Sequence, residues 1–213
     1  MKIKFLMMIG LFTGSIINAQ DSLNTKSDKP RLIGFSPSKK TKNVNGVLIK
    51  YYDEIDHEIQ PKKVNGIGLG FNGLGIFFPA LLLVSIPSID NWAINDIGSE
   101  PLPDKMNKIN GMQLSIINME PTVTNGLEVN ISSNISALSV TNGVAFSPLY
   151  NFHHTTKGAV VSTFANVSRK CRGVQISLFN VCKDSRGIQI GLWNENERRK
   201  LPLINWNFKN KKS

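Results

Sequence analysis

The chain has 213 residues, of which 41% are hydrophobic and 19% charged, with a formal net charge of +10. That balance excludes a highly charged disordered chain and a multi-pass helical membrane protein. The excess lies in 23 Asn and 17 Gly, with six Asn-Gly dipeptides, and points to a turn-rich, repetitive β protein.

In chain order, a basic start (Lys2, Lys4), an apolar stretch from Phe5 to Ile17 and a small residue at Ala19 read as an export signal over residues 1–19. The apolar stretch is shorter than the ~20 residues that span a bilayer. Residues 20–43 are polar, rich in Lys, Ser and Pro, and carry no period, which predicts a disordered linker. From Val44 the pattern changes. Glycines that open an apolar alternation stand at 46, 66, 111, 126, 143, 158, 173 and 187, and the last five intervals are 15, 17, 15, 15 and 14 residues. A repeat of ~15 residues follows, in one domain over 44–208 with a basic tail at 209–213.

The clearest copies are GMQLSIIN from Gly111, GVQISLFN from Gly173 and GIQIGLWN from Gly187, with GAVVSTFAN from Gly158 a weaker one. Apolar residues one, three and five places after the glycine alternate with Gln, Ser or Gly, a period of two that predicts strands. Gly111, Gln113 and Asn118 thus correspond to Gly173, Gln175 and Asn180 and to Gly187, Gln189 and Asn194. The three glutamines are expected on a sheet's polar face and need no ligand there. Gly126 is followed instead by Glu128 and Asn130. Segments between copies, such as MEPTVT, VSRKC, CKDSR and ENERRK, read as turns. Within the apolar block GIFFPALLLVSIPSI, Pro79 and Pro87 bound a stretch too short for a membrane helix, so the block reads as a buried strand or an insertion under the sheet.

The copies GVQISLFN and GIQIGLWN, the connector CKDSR and the ending RRKLPLINWNF resemble the leptospiral-type surface-repeat family of exported bacterial proteins, mainly over residues 109–208. The resemblance implies export and a cell-surface or outer-membrane setting, and it brings no catalytic residues.

Two all-β architectures satisfy the repeat. The preferred reading is an antiparallel meander closing as a shallow β-barrel, with Ile204, Trp206 and Phe208 in the closing strand. The alternative is a β-solenoid in which like residues stack. The barrel sets Gln175 opposite Trp193, whereas the solenoid stacks Gln175 on Gln189.

Cys171 and Cys182 flank a stretch read as one strand from Gly173 to Val181, which sets them roughly 36 Å apart and predicts two unpaired thiols. His153 and His154 are expected in a surface turn, and no Cys/His spacing suggests a metal. No cofactor, nucleic-acid partner or small-molecule substrate is expected. The cluster in YYDEIDHEI is expected to be a solvated strand end or loop rather than a catalytic site. Residues 21–128 carry 11 basic and 12 acidic side chains, net −1; residues 129–213 carry 12 and 3, net +9. Arg198, Arg199 and Lys200 are therefore the candidate contact for an anionic partner, an acidic glycan or lipid headgroup. The expected role is that of a non-enzymatic surface or outer-membrane protein, structural or interacting, with the periplasm as the alternative address.

Overall fold

The computed structural model describes residues 30–36, 41–52, 61–72 and 101–209. The predicted signal, the apolar block 75–89 and most of the acidic cluster lie outside the described residues. Within them the chain forms ten strands and no helix: β1 (Arg31–Ser36), β2 (Asn43–Tyr52), β3 (Lys63–Asn72), β4 (Asn107–Asn118), β5 (Thr122–Asn134), β6 (Val140–Phe146), β7 (Tyr150–Val161), β8 (Ala165–Ile176), β9 (Phe179–Asn196) and β10 (Lys200–Asn207). Each strand pairs with the next, and every pairing from β1 to β9 is parallel. Parallel neighbours in sequence order mean that the chain completes one coil between them. The fold is a β-solenoid of about eight turns, not a barrel.

The glycines set the register: Gly46, Gly66, Gly111, Gly126, Gly143, Gly158, Gly173 and Gly187 stand directly on one another. Each has a φ between 128° and 151°, and a Cβ on Gly158 would lie 2.0 Å from the Gly143 carbonyl oxygen. Only glycine turns this corner at the spacing of stacked strands. Five of the six Asn-Gly pairs are these corners rather than hairpin turns. Their asparagines form an outer ladder, in which Asn65, Asn110, Asn125 and Asn142 each donate from Nδ2 to the Oδ1 of the preceding coil's asparagine at 2.8 Å.

A second, buried ladder runs along another corner through Asn118, Asn134, Asn151, Asn166, Asn180 and Asn194. Asn166 Nδ2 donates to Asn180 Oδ1 (3.1 Å) and to the Ile176 carbonyl (2.9 Å), and Asn180 Nδ2 donates to Asn194 Oδ1 (2.9 Å). The amide, having both donor and acceptor, satisfies its own copy above and below as well as the backbone of the tight corner. Among the described residues, buried apolar packing gathers in two clusters, one of Val44, Leu48, Val64 and Ile109, the other of Tyr150, Ala165, Val167 and Val181.

Coiling overturns several expectations. VSRKC and CKDSR are strand, in β8 and β9, because stacking continues through the residues between copies. Gly173–Val181 is not one strand: β8 ends at Ile176 and β9 begins at Phe179, so the chain turns back. That return sets Cys171 and Cys182 at a Cα separation of 6.3 Å, and they form a disulfide instead of two free thiols. His153 and His154 lie in β7 and are buried, not in a surface turn. Six residues of the stretch read as a linker form β1. The ending Ile204, Trp206 is no barrel closure. β10 pairs antiparallel with β9 alone and ends the stack.

Candidate interaction surface

In each coil the residues after the glycine alternate between the interior and one outer wall. The inward site two places on holds Gln113, Glu128, Ala145, Val160, Gln175 and Gln189, all buried. Polar side chains thus line much of the inside. Gln189 Nε2 donates to Gln175 Oε1 at 2.9 Å, and the Thr124 hydroxyl donates to Gln113 Oε1 at 2.8 Å. The glutamine row is a stacking device, its members bonded to their neighbours rather than offered to a ligand.

The outward sites carry the apolar residues. One column passes through Ile67, Met112, Leu127, Val144, Val174 and Ile188, the next through Leu69, Leu114, Val129, Phe146, Ile176 and Ile190. β10 extends both with Trp206 beside Ile188 and Ile204 beside Ile190. Val144 is 44% exposed, Phe146 43% and Ile190 41%, so the wall faces solvent. These columns bear no charged side chain among the described residues. A continuous apolar face of this length exceeds the scattered exposed residues of an ordinary soluble surface.

Beside the wall, the residue before each glycine is Asn from Asn45 to Asn142 and then Lys157, Arg172 and Arg186 in the last three coils. This basic column was not singled out from the sequence, although replacement of Asn by Lys or Arg at a fixed repeat site was the signal for it. Arg172 is paired to Asp184, Nη2 to Oδ2 at 2.9 Å. Burial pushes the Asp184 carboxyl up, but the hydrogen bond and charge of Arg172, with Arg186 and Lys170, outweigh it and hold the group below its ordinary value.

The predicted basic trio lies at the turn between β9 and β10. Arg199 is engaged there: Nε donates to Asn205 Oδ1 (3.0 Å), Nη2 donates to the Trp206 carbonyl (2.6 Å), and the guanidinium stands 4.4 Å over the Trp206 ring. Lys200 pairs with Glu195 at 3.0 Å, and Arg198 is exposed. The nine repeat residues Gly111, Gln113, Asn118, Gly173, Gln175, Asn180, Gly187, Gln189 and Asn194 are brought into three columns: corner, inner face and inner corner.

Two buried ionic groups escaped the sequence reading. Glu128 stands at a glutamine site and is fully buried with His153, whose Nε2 lies 3.4 Å from Glu128 Oε2. The carboxylate also accepts from Asn134 Nδ2 (2.8 Å), Asn130 Nδ2 (3.2 Å) and the Thr141 hydroxyl. Burial raises its pKa, but His153, Thr141 and Asn130 together outweigh that and the net shift is downward. Sealed between coils, the pair meets no substrate. Nearer the N-terminal end, buried Lys50 lies 3.7 Å from Glu120, which also accepts from Asn107 Nδ2 at 2.9 Å. Burial raises Glu120 and lowers Lys62 beside it.

No protein-family model matches this chain, and no curated protein or solved structure is significantly similar to it.

Proposed function

We propose that this is an exported, non-enzymatic protein of the cell surface or outer membrane, with a structural or interaction role exercised through the apolar wall. The charge-free wall carries the reading: a solenoid with many polar side chains inside and an apolar wall outside presents its most adhesive surface outward. The disulfide supports export, since such bonds persist in oxidising compartments. The predicted signal and the resemblance to the surface-repeat family point the same way. Cell fractionation tests it. The wild-type chain is expected in the envelope fraction; a wild-type chain that stays soluble, in the periplasm or the cytoplasm, refutes the reading.

The column Lys157, Arg172, Arg186 favours a second reading, a module for an acidic glycan or anionic lipid in the basic C-terminal half. Its binding to a polyanion would fall with salt, because exposed charges are screened. Lys157→Ala with Arg198→Ala would weaken it further. Salt-independent binding removes this alternative.

A further inference from the structure

We propose that the partner of the apolar wall is a second copy of the same chain, packed face to face and antiparallel. This rests on the reading of the wall as the interaction surface and names its occupant. The dimensions fit. Ten strands from β1 to β10 at ~4.8 Å spacing give a length of ~43 Å, and five residues at ~3.3 Å with their side-chain margins give a width of ~18 Å. The resulting ~770 Å² per copy, ~1,550 Å² in total, falls within the range of stable protein interfaces. The columns also suit a sheet rather than a bilayer: regular rows of Val, Ile, Leu and Phe in register from coil to coil interdigitate with the same rows of a facing sheet ~10 Å away.

Charge argues against an anionic membrane as the occupant. From β2 to β6 the rim of the wall is the neutral Asn ladder, its amides bonded to one another. Along that rim the charged residues are Lys157, Arg172 and Arg186, and Arg172 is already paired with Asp184. A second copy needs no counter-charge at all.

The strand edge is a poorer route to self-association. β10, the last strand, contains Pro202 and a Leu203 with φ of 65°, its register with β9 shifts there, and Arg199 caps the Trp206 carbonyl. These features blunt an edge against strand addition. At the other edge β1 is only six residues long and its register with β2 shifts between Arg31 and Ile33, so self-association falls to the wall, and a closed two-fold contact follows from using one patch twice. The charge distribution chooses the orientation. With the two-fold axis across the stack, the basic rim of Lys157, Arg172 and Arg186 lies beside the partner's neutral Asn ladder. β1 carries both columns on, with Ile33 beside Val47 and Phe35 beside Ile49, so the centre of the ten strands falls between β5 and β6 and Phe146 lies within one strand spacing of its own counterpart.

Sedimentation of the purified chain without membranes is expected to give twice the monomer mass. Phe146→Arg, which brings two cations together in the buried centre, is expected to raise the dimer dissociation constant at least ~100-fold. Lys170→Ala, exposed on β8 away from the wall, is expected to leave it unchanged. Far-UV circular dichroism checks that each variant is folded. Should Phe146→Arg fail to fold, cysteine cross-linking decides instead: with a short bis-maleimide, Phe146→Cys links to its counterpart and Ile190→Cys does not. A chain that is monomeric at every concentration, a dimer indifferent to Phe146→Arg, or equal linking at both positions overturns the proposal. A monomer that floats with anionic vesicles assigns the wall to lipid, which overturns the dimer and leaves the surface-protein reading to the fractionation result.

Discussion

Replacement of Gly158 by Ala tests whether the glycine column is what permits the coils to stack. Its φ of 128° lies where L residues are strained, at a cost of ~1–3 kcal/mol. The new Cβ would stand 2.0 Å from the Gly143 carbonyl oxygen, whereas ordinary contact begins near 3.4 Å. Relief by ~1.4 Å stretches the adjacent inter-coil hydrogen bonds beyond useful length, and two lost at ~1 kcal/mol each add ~2 kcal/mol. The sum is ~3–5 kcal/mol, which at an m-value of ~2 kcal/mol/M lowers the urea midpoint by ~1.5–2.5 M. Far-UV circular dichroism follows the transition. Because Gly126 and Gly173 meet the same carbonyl wall, their alanine variants should lose a similar amount. A midpoint shift below ~0.5 M at Gly158 refutes the reasoning, since it would mean that the corner accommodates a side chain.

Two further outcomes are expected. Glu128 is held below its ordinary value in the folded chain, so the stability it contributes is present above the unfolded carboxylate pKa and is lost as pH falls through the depressed native one. Glu128→Gln should flatten the acid limb of a stability-pH profile relative to wild type, and an unchanged slope would show that the buried pair is not its source. The Cys171–Cys182 bridge closes a loop of sequence separation 11, and changing both residues to Ser should cost ~2–3 kcal/mol by denaturant unfolding. An intact chain that shows two titratable thiols would remove the bridge itself.

Much of the fold was legible because the repeat writes the same physical requirement many times. The glycine spacing alone marked where each copy opens, and the period-two alternation marked the strands that follow. Gln113, Gln175 and Gln189 shared a site in the repeat and do share a column. The basic trio was less legible: a cluster such as Arg198-Arg199-Lys200 is conspicuous in a line of text, yet Arg199 and Lys200 hold a turn. Lys157, Arg172 and Arg186 form one column although 14 or 15 residues separate each from the next.

The linear order of residues was enough to give the strands that follow each glycine and the unit of repetition, because alternation and glycine placement are local constraints on the backbone. Strand direction is not a local property, since a meander and a solenoid demand the same alternation. Like-on-like contact in the folded chain decides it: asparagine amides bond their copies only when successive strands run the same way, and two cysteines eleven residues apart meet only if the chain has turned back between them. Folding also decides which face is inside. Alternation separates polar from apolar residues but carries no sign, and here the inner amides and hydroxyls find partners in the neighbouring coil, leaving the apolar face outward to be covered by something else.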